Sequence, residues 1–122
     1  MTNDKNITDT KWDLEDRTAK FGEGIIAFCK QINETTIIKP IISQLIRSAT
    51  STGANYCEAD DAESKKDFKH KIGICKKEAR ETKHWLRMLA KCLPEHKDKI
   101  ALLWKEAKEL HLIFNSIYQK VK

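Results

Sequence analysis

At 122 residues, this chain has the length of one domain, and 40% hydrophobic positions are enough to bury a core. With 34% of positions charged and a formal charge of +5, it reads as a soluble globular protein, not a disordered one. No apolar run approaches membrane-spanning length, and the polar start Met1–Lys11 lacks a signal-peptide stretch, so a cytoplasmic protein without a membrane partner is expected.

Met1 to Trp12 is polar and aperiodic, which predicts a short mobile tail, with the folded unit running over 13–122. Helix one is expected from Asp13, an N-cap followed by Glu15 and Asp16 where the helix dipole favours acids. Its buried side is Leu14, Thr18, Phe21, Ile25, Phe28 and Ile32. Gly22 and Gly24, costly in mid-helix, suggest that another backbone comes close.

Helix two is expected from about Pro40, whose missing N–H suits a first turn. Ile42, Leu45, Ala49, Thr52, Tyr56 and Ala59 form its core side. The opposite side carries Ser43, Arg47, Ser51, Ala54 and Glu58, unusually small for a solvated face. That pattern admits a subunit contact with Arg47 and Glu58 pairing across it, or a plain exposed face.

Ser64-Lys65-Lys66-Asp67 has the Ser-x-x-acid form of a helix start. Helix three then keeps a four-three rhythm through Phe68, Ile72, Cys75, Ala79, Thr82, Leu86, Leu89 and Leu93, up to the Leu93-Pro94 break. A second side gathers Lys66, Lys69, Lys76, Lys77, Arg80, Lys83, Arg87 and Lys91 with no acid among them. From Lys65 to Lys91 ten Lys or Arg face three acids, a local excess of +7, so the remaining chain sums to −2. Charge concentrated in this way favours a polyanion. The third side holds Asp67, Ile74, Glu78, Glu81, Trp85, Met88 and Cys92, and its apolar part is either a second core contact or an oligomer seam.

Helix four repeats the rhythm through Ile100, Leu103, Ala107, Leu110, Phe114, Ile117 and Val121. Four such helices with short connections predict an all-α, antiparallel up-down-up-down four-helix bundle.

Chemistry has little to stand on. His70, His84, His96 and His111 form no metal-binding pair, and Cys29, Cys57, Cys75 and Cys92 form no Cys-x-x-Cys. Glu78 and Glu81 lie one turn apart, but Lys77 and Arg80 beside them favour ion pairing over acid–base work. No catalytic residue, metal or cofactor is therefore expected. The basic side of helix three is the candidate binding element. Its lysines suit sequence-indifferent attraction to RNA or DNA backbone, and Arg80 and Arg87 suit bidentate phosphate contacts. No aromatic residue interleaves the basic side, so duplex or structured RNA is expected in preference to unstacked bases.

The stretch Arg47-Ser48-Ala49-Thr50-Ser51-Thr52-Gly53-Ala54-Asn55-Tyr56-Cys57-Glu58-Ala59, then Asp67-Phe68 and Lys77-Glu78-Ala79-Arg80-Glu81-Thr82-Lys83-His84-Trp85-Leu86, resembles bacterial four-helix-bundle proteins encoded in intervening sequences of 23S ribosomal RNA genes. The likeness runs from about Leu14 to Lys120. It implies a homopentameric ring of antiparallel bundles with no enzymatic residues. A related branch comprises accessory proteins of diversity-generating retroelements, which bind nucleic acid and a reverse transcriptase. This sequence is similar more to the intervening-sequence group, which leaves a reverse-transcriptase partner as the lesser expectation. The resemblance places Arg47, Asn55, Tyr56, Glu58, Glu78, Glu81 and Trp85 on signature positions. With Ser51 they are expected to serve polar pairing between helices or subunits, apart from the basic side. A homo-oligomeric scaffold or protein-binding adaptor, with the lysines only solubilising, is the alternative to nucleic-acid binding.

Overall fold

A computed structural model describes the backbone of residues 9–122 and the side chains from Leu14 onward; the expected mobile tail falls mainly outside the described residues. Four helices follow in order: α1 (Asp9–Cys29), α2 (Ile38–Asp60), α3 (Lys65–Cys92) and α4 (Lys97–Lys120), with a single 3₁₀ turn at Pro94–His96 before α4. The described residues hold no strand, and no helix among them is long and apolar enough to cross a membrane.

Local chemistry explains where the helices start. Ser64 is extended, and its side chain accepts a hydrogen bond from the Asp67 amide at 3.0 Å, so the expected cap of α3 is in place. α2 begins two residues before Pro40 because the Thr35 hydroxyl accepts from the Ile38 amide at 3.2 Å. Pro40 then sits inside the first turn, where no intrahelical donor is missed. α1 reaches back to Asp9, four residues ahead of Asp13, since neither Pro nor Gly interrupts that stretch.

The three-four spacing reports the core accurately. Every residue assigned to the buried sides of α1 and α2 is buried, as are Ile72 to Leu93 on α3 and Ile100 to Phe114 on α4; Phe68 and Ile117 are partly buried against the same cluster. Consecutive helices pack side by side, which closes a bundle whose α2–α3 and α3–α4 interfaces are the most extensive. Fully buried hydroxyls are satisfied locally. Thr18 and Thr52 donate to carbonyls one turn back, and Thr82 Oγ1 lies 2.8 Å from the Glu78 carbonyl and 2.9 Å from Ser48 Oγ on α2.

Between α1 and α2 the expected backbone approach occurs at Gly22, where an added Cβ would stand 3.7 Å from Thr50 Cα. Gly24 does not share that role: an added Cβ there would meet nothing within 4 Å. Its place is taken from the other helix by Gly53, which leaves room for Thr18 of α1. α1 and α4 are joined by Arg17, which donates to both Glu106 oxygens at 2.7 and 2.8 Å and to Glu109 at 2.8 Å. Nothing in the sequence patterning singled out that bridge.

Candidate nucleic-acid interface

The basic residues of α3 resolve into two rows. Lys66, Lys77, Arg80, Arg87 and Lys91 are exposed, whereas Lys69, Lys76 and Lys83 are half-buried. The half-buried three recur every seventh residue, the interval at which a helix keeps meeting an antiparallel neighbour. That neighbour is α4, whose Trp104, His111 and Tyr118 recur at the same interval in the opposite direction.

The two rows meet as cations on rings. Lys69 Nζ and Lys76 Nζ lie 4.7 and 4.6 Å from the centroid of Tyr118, and Lys76 also donates to Asn115 Oδ1 at 3.2 Å. Lys83 Nζ and Lys108 Nζ lie 5.5 and 5.7 Å from the centroid of Trp104. Such contacts attract through the ring quadrupole and are worth about 0.5–1 kcal/mol at an exposed site. Gly73, on the basic helix itself, supplies the recess for Tyr118: an added Cβ would stand 3.2 Å from its Cε1. The expectation that aromatics are absent from the basic side is therefore corrected. The rings come from α4 and are invisible to a reading of α3 alone.

None of the eight basic side chains forms a salt bridge among the described residues. The carboxylates that do form salt bridges among the described residues are held by Arg17, Lys20, Arg47 and Lys71. His111 registers the resulting field. Its pKa is held below the ordinary histidine value, first by burial and then by Lys83, Arg80 and Lys76.

Glu78 and Glu81 pair with Arg47 of α2, not with Lys77 and Arg80, because their side of α3 is turned away from the basic rows. Arg47 donates from Nη1 to Glu78 at 3.1 Å, from Nη2 to Glu81, and from Nε to Gln44 at 3.0 Å. Trp85 Nε1 donates to the same Glu81 oxygen at 2.9 Å, and Trp85 and Cys92 of the third side pack against the bundle's own core. Glu58 likewise pairs within the chain, with Lys71 at 2.6 Å. Arg47 and Glu58 are thus both paired within one chain, Arg47 with Glu78 and Glu81 and Glu58 with Lys71. Ser51 and Asn55 are linked along α2, Asn55 Nδ2 donating to the Ser51 carbonyl at 2.9 Å. Tyr56 is buried, its ring 5.8 Å from that of Phe114.

The Arg47–Glu81–Trp85 contacts make a pH prediction. The hydrogen bond from Trp85, and then Arg47, hold the Glu81 carboxyl below its ordinary 4.5. A folded-state pKa below the unfolded one contributes stability at neutral pH that is lost as pH falls through the folded value. The stability difference between wild type and Glu81→Gln, measured by urea unfolding, is expected to be constant from pH 7 to 5.5 and to shrink towards zero below pH 4. A difference that does not change with pH over that range overturns the assignment.

The remaining reactive groups are placed unremarkably. Burial raises the Cys29 and Cys75 thiols to about 11 and about 12, so both are protonated at neutral pH. His70 and His84 are exposed, His84 edge-on to Trp85, and His96 meets the Phe28 ring edge-on at 5.5 Å.

With this geometry established, the relatives of the chain can be set beside it. Residues 12–116 match the model of the 23S rRNA-intervening sequence protein family. The chain belongs to that family. Among solved structures, a protein of unknown function from the S23 ribosomal protein family of Bacteroides thetaiotaomicron is 28% identical. It superposes with a TM-score of 0.81, over 92% of this chain and 100% of that one. None of the curated proteins matches. Family membership agrees with the four-helix architecture.

Proposed function

We propose that this family member is a non-catalytic protein that binds the backbone of RNA or DNA through the basic rows of α3. One observation carries the reading. Every carboxylate ion pair among the described residues is made by a cation outside those rows, so the eight positive side chains have no acidic partner among the described residues. Spread over about seven turns, roughly 35–40 Å, they match the reach of a phosphate chain rather than a single small anion. Arg80 and Arg87 project their forks into solvent, where two parallel N–H bonds to one phosphate are geometrically open. The family's name, 23S rRNA-intervening sequence protein, makes ribosomal RNA the first ligand to test.

Counterion release sets the test. A labelled ribosomal RNA fragment contacted at about six phosphates is expected to lose about 10³-fold in affinity between 50 and 200 mM salt. Fluorescence anisotropy across that range measures the slope. No detectable binding at the low-salt end overturns the reading and favours the scaffold or adaptor alternative.

A further inference from the structure

The α3–α4 groove holds more than charge. Trp104 is 36% exposed, and Tyr118 is half-buried. Both rings already accept ammonium groups over their faces, and both belong to α4, beside the inner lysine row. Trp104 and Tyr118 are separated by fourteen residues of one helix, about 21 Å, with His111 midway. An array of cations with flat π surfaces set at intervals has a physical consequence that a row of lysines alone lacks. It can take the base as well as the phosphate.

We infer that the α3–α4 groove binds an unpaired RNA strand, with nucleobases stacked on Trp104 and Tyr118 and the groove lysines on its phosphates. The proposal rests on the reading of α3 as a phosphate-binding surface, and it names the class of strand. The exchange is favourable on each side. Lys69, Lys76, Lys83 and Lys108 give up a weak contact with a ring and gain an anionic oxygen. The ring gives up the ammonium and gains a base, and base–aromatic stacking is the stronger of the two interactions. Gly73 contributes by letting the Tyr118 ring pack close against α3, where an added Cβ would stand 3.2 Å from its Cε1. A duplex offers no free base face, so it can engage the lysines but not the rings. This reverses the preference for duplex expected from α3 alone.

The experiment compares a labelled twelve-nucleotide oligoadenylate with a twelve-base-pair RNA duplex, by anisotropy at fixed low salt. Wild type, Trp104→Leu and Tyr118→Leu are measured alongside the conservative Trp104→Phe and Tyr118→Phe, with circular dichroism reporting folding. Each Leu variant is expected to weaken oligoadenylate binding about tenfold, or more, and to leave duplex binding within twofold. The Phe variants are expected to restore most of the loss, because a flat ring is what the base requires. Equal weakening of both ligands, or of neither, overturns the groove proposal and leaves the rings as anchors for lysines. Tighter binding of duplex than of oligoadenylate by wild type also overturns it, while the reading of α3 stands. Absence of binding to both ligands overturns the two together.

Discussion

Phe114→Ala is expected to lower the unfolding free energy by about 4 kcal/mol, within the range typical of a Phe truncated in a core. Phe114 is the largest of the fully buried side chains, at 0% exposure. Its ring meets Tyr56 of α2 at a 46° tilt, so it fills the space where α4 reaches across the bundle. Removing it deletes the transfer free energy of the ring and leaves a cavity that four rigid helices cannot collapse around. Natural domains hold only about 5–15 kcal/mol in total, so the loss is a large share of the whole. Urea unfolding measures it as a lower midpoint at unchanged slope. Leu102→Ala provides the contrast: Leu102 is 66% exposed, and its truncation is expected to stay within about 0.5 kcal/mol of wild type. A Phe114→Ala cost below about 1 kcal/mol would show that the ring is not enclosed.

That comparison marks what patterning alone can and cannot report. Burial follows from position along a helix, and the three-four rhythm separates Phe114 from Leu102 without any tertiary knowledge. The capping Ser64 and the Leu93-Pro94 break are equally local, since each depends on groups within a few residues. Partnership across helices is different. Whether Glu81 meets Arg80 or Arg47 depends on how α3 is rotated against α2, which spacing on one helix does not encode. The ladder in the groove needs one quantity more, the longitudinal offset between α3 and α4. The 3₁₀ turn at Pro94–His96 helps fix that offset, and it brings Lys69 to Tyr118 and Lys83 to Trp104. The seven-residue interval of Trp104, His111 and Tyr118 was present in the sequence, but it acquires meaning only beside the matching interval of lysines. Arg17 escaped notice for the same reason: Glu106 and Glu109 are nearly ninety residues away along the chain and adjacent only after α4 returns.

Reversal of Lys76, Arg80, Lys83 and Arg87 to Glu is expected to abolish nucleic-acid binding, with a loss of at least about 10³-fold at 50 mM salt. Each substitution changes the formal charge by two, so the four together take it from +5 to −3. The effect is larger than deletion of four contacts, because phosphates would then meet carboxylates along the same rows. Folding is not the cost. All four side chains lie on the outer or groove side of α3, none is among the buried residues, and none forms a salt bridge among the described residues. The variant is therefore expected to unfold within about 1 kcal/mol of wild type while losing its ligand, and unfolding and anisotropy measurements on one preparation read both. A control reverses charge on another face and is compared with the two-site reversal Arg80→Glu and Arg87→Glu, each pair changing the formal charge by four. Lys20→Glu and Lys30→Glu lie on α1 and in the turn that follows it, so binding is expected to change only by the small long-range effect of net charge, which salt screens. If both sets weaken binding equally, attraction depends on total charge and not on α3. If the α3 set alone abolishes it, the location of the charge decides, because the salt bridges among the described residues are made by Arg17, Lys20, Arg47 and Lys71 and none by these two rows.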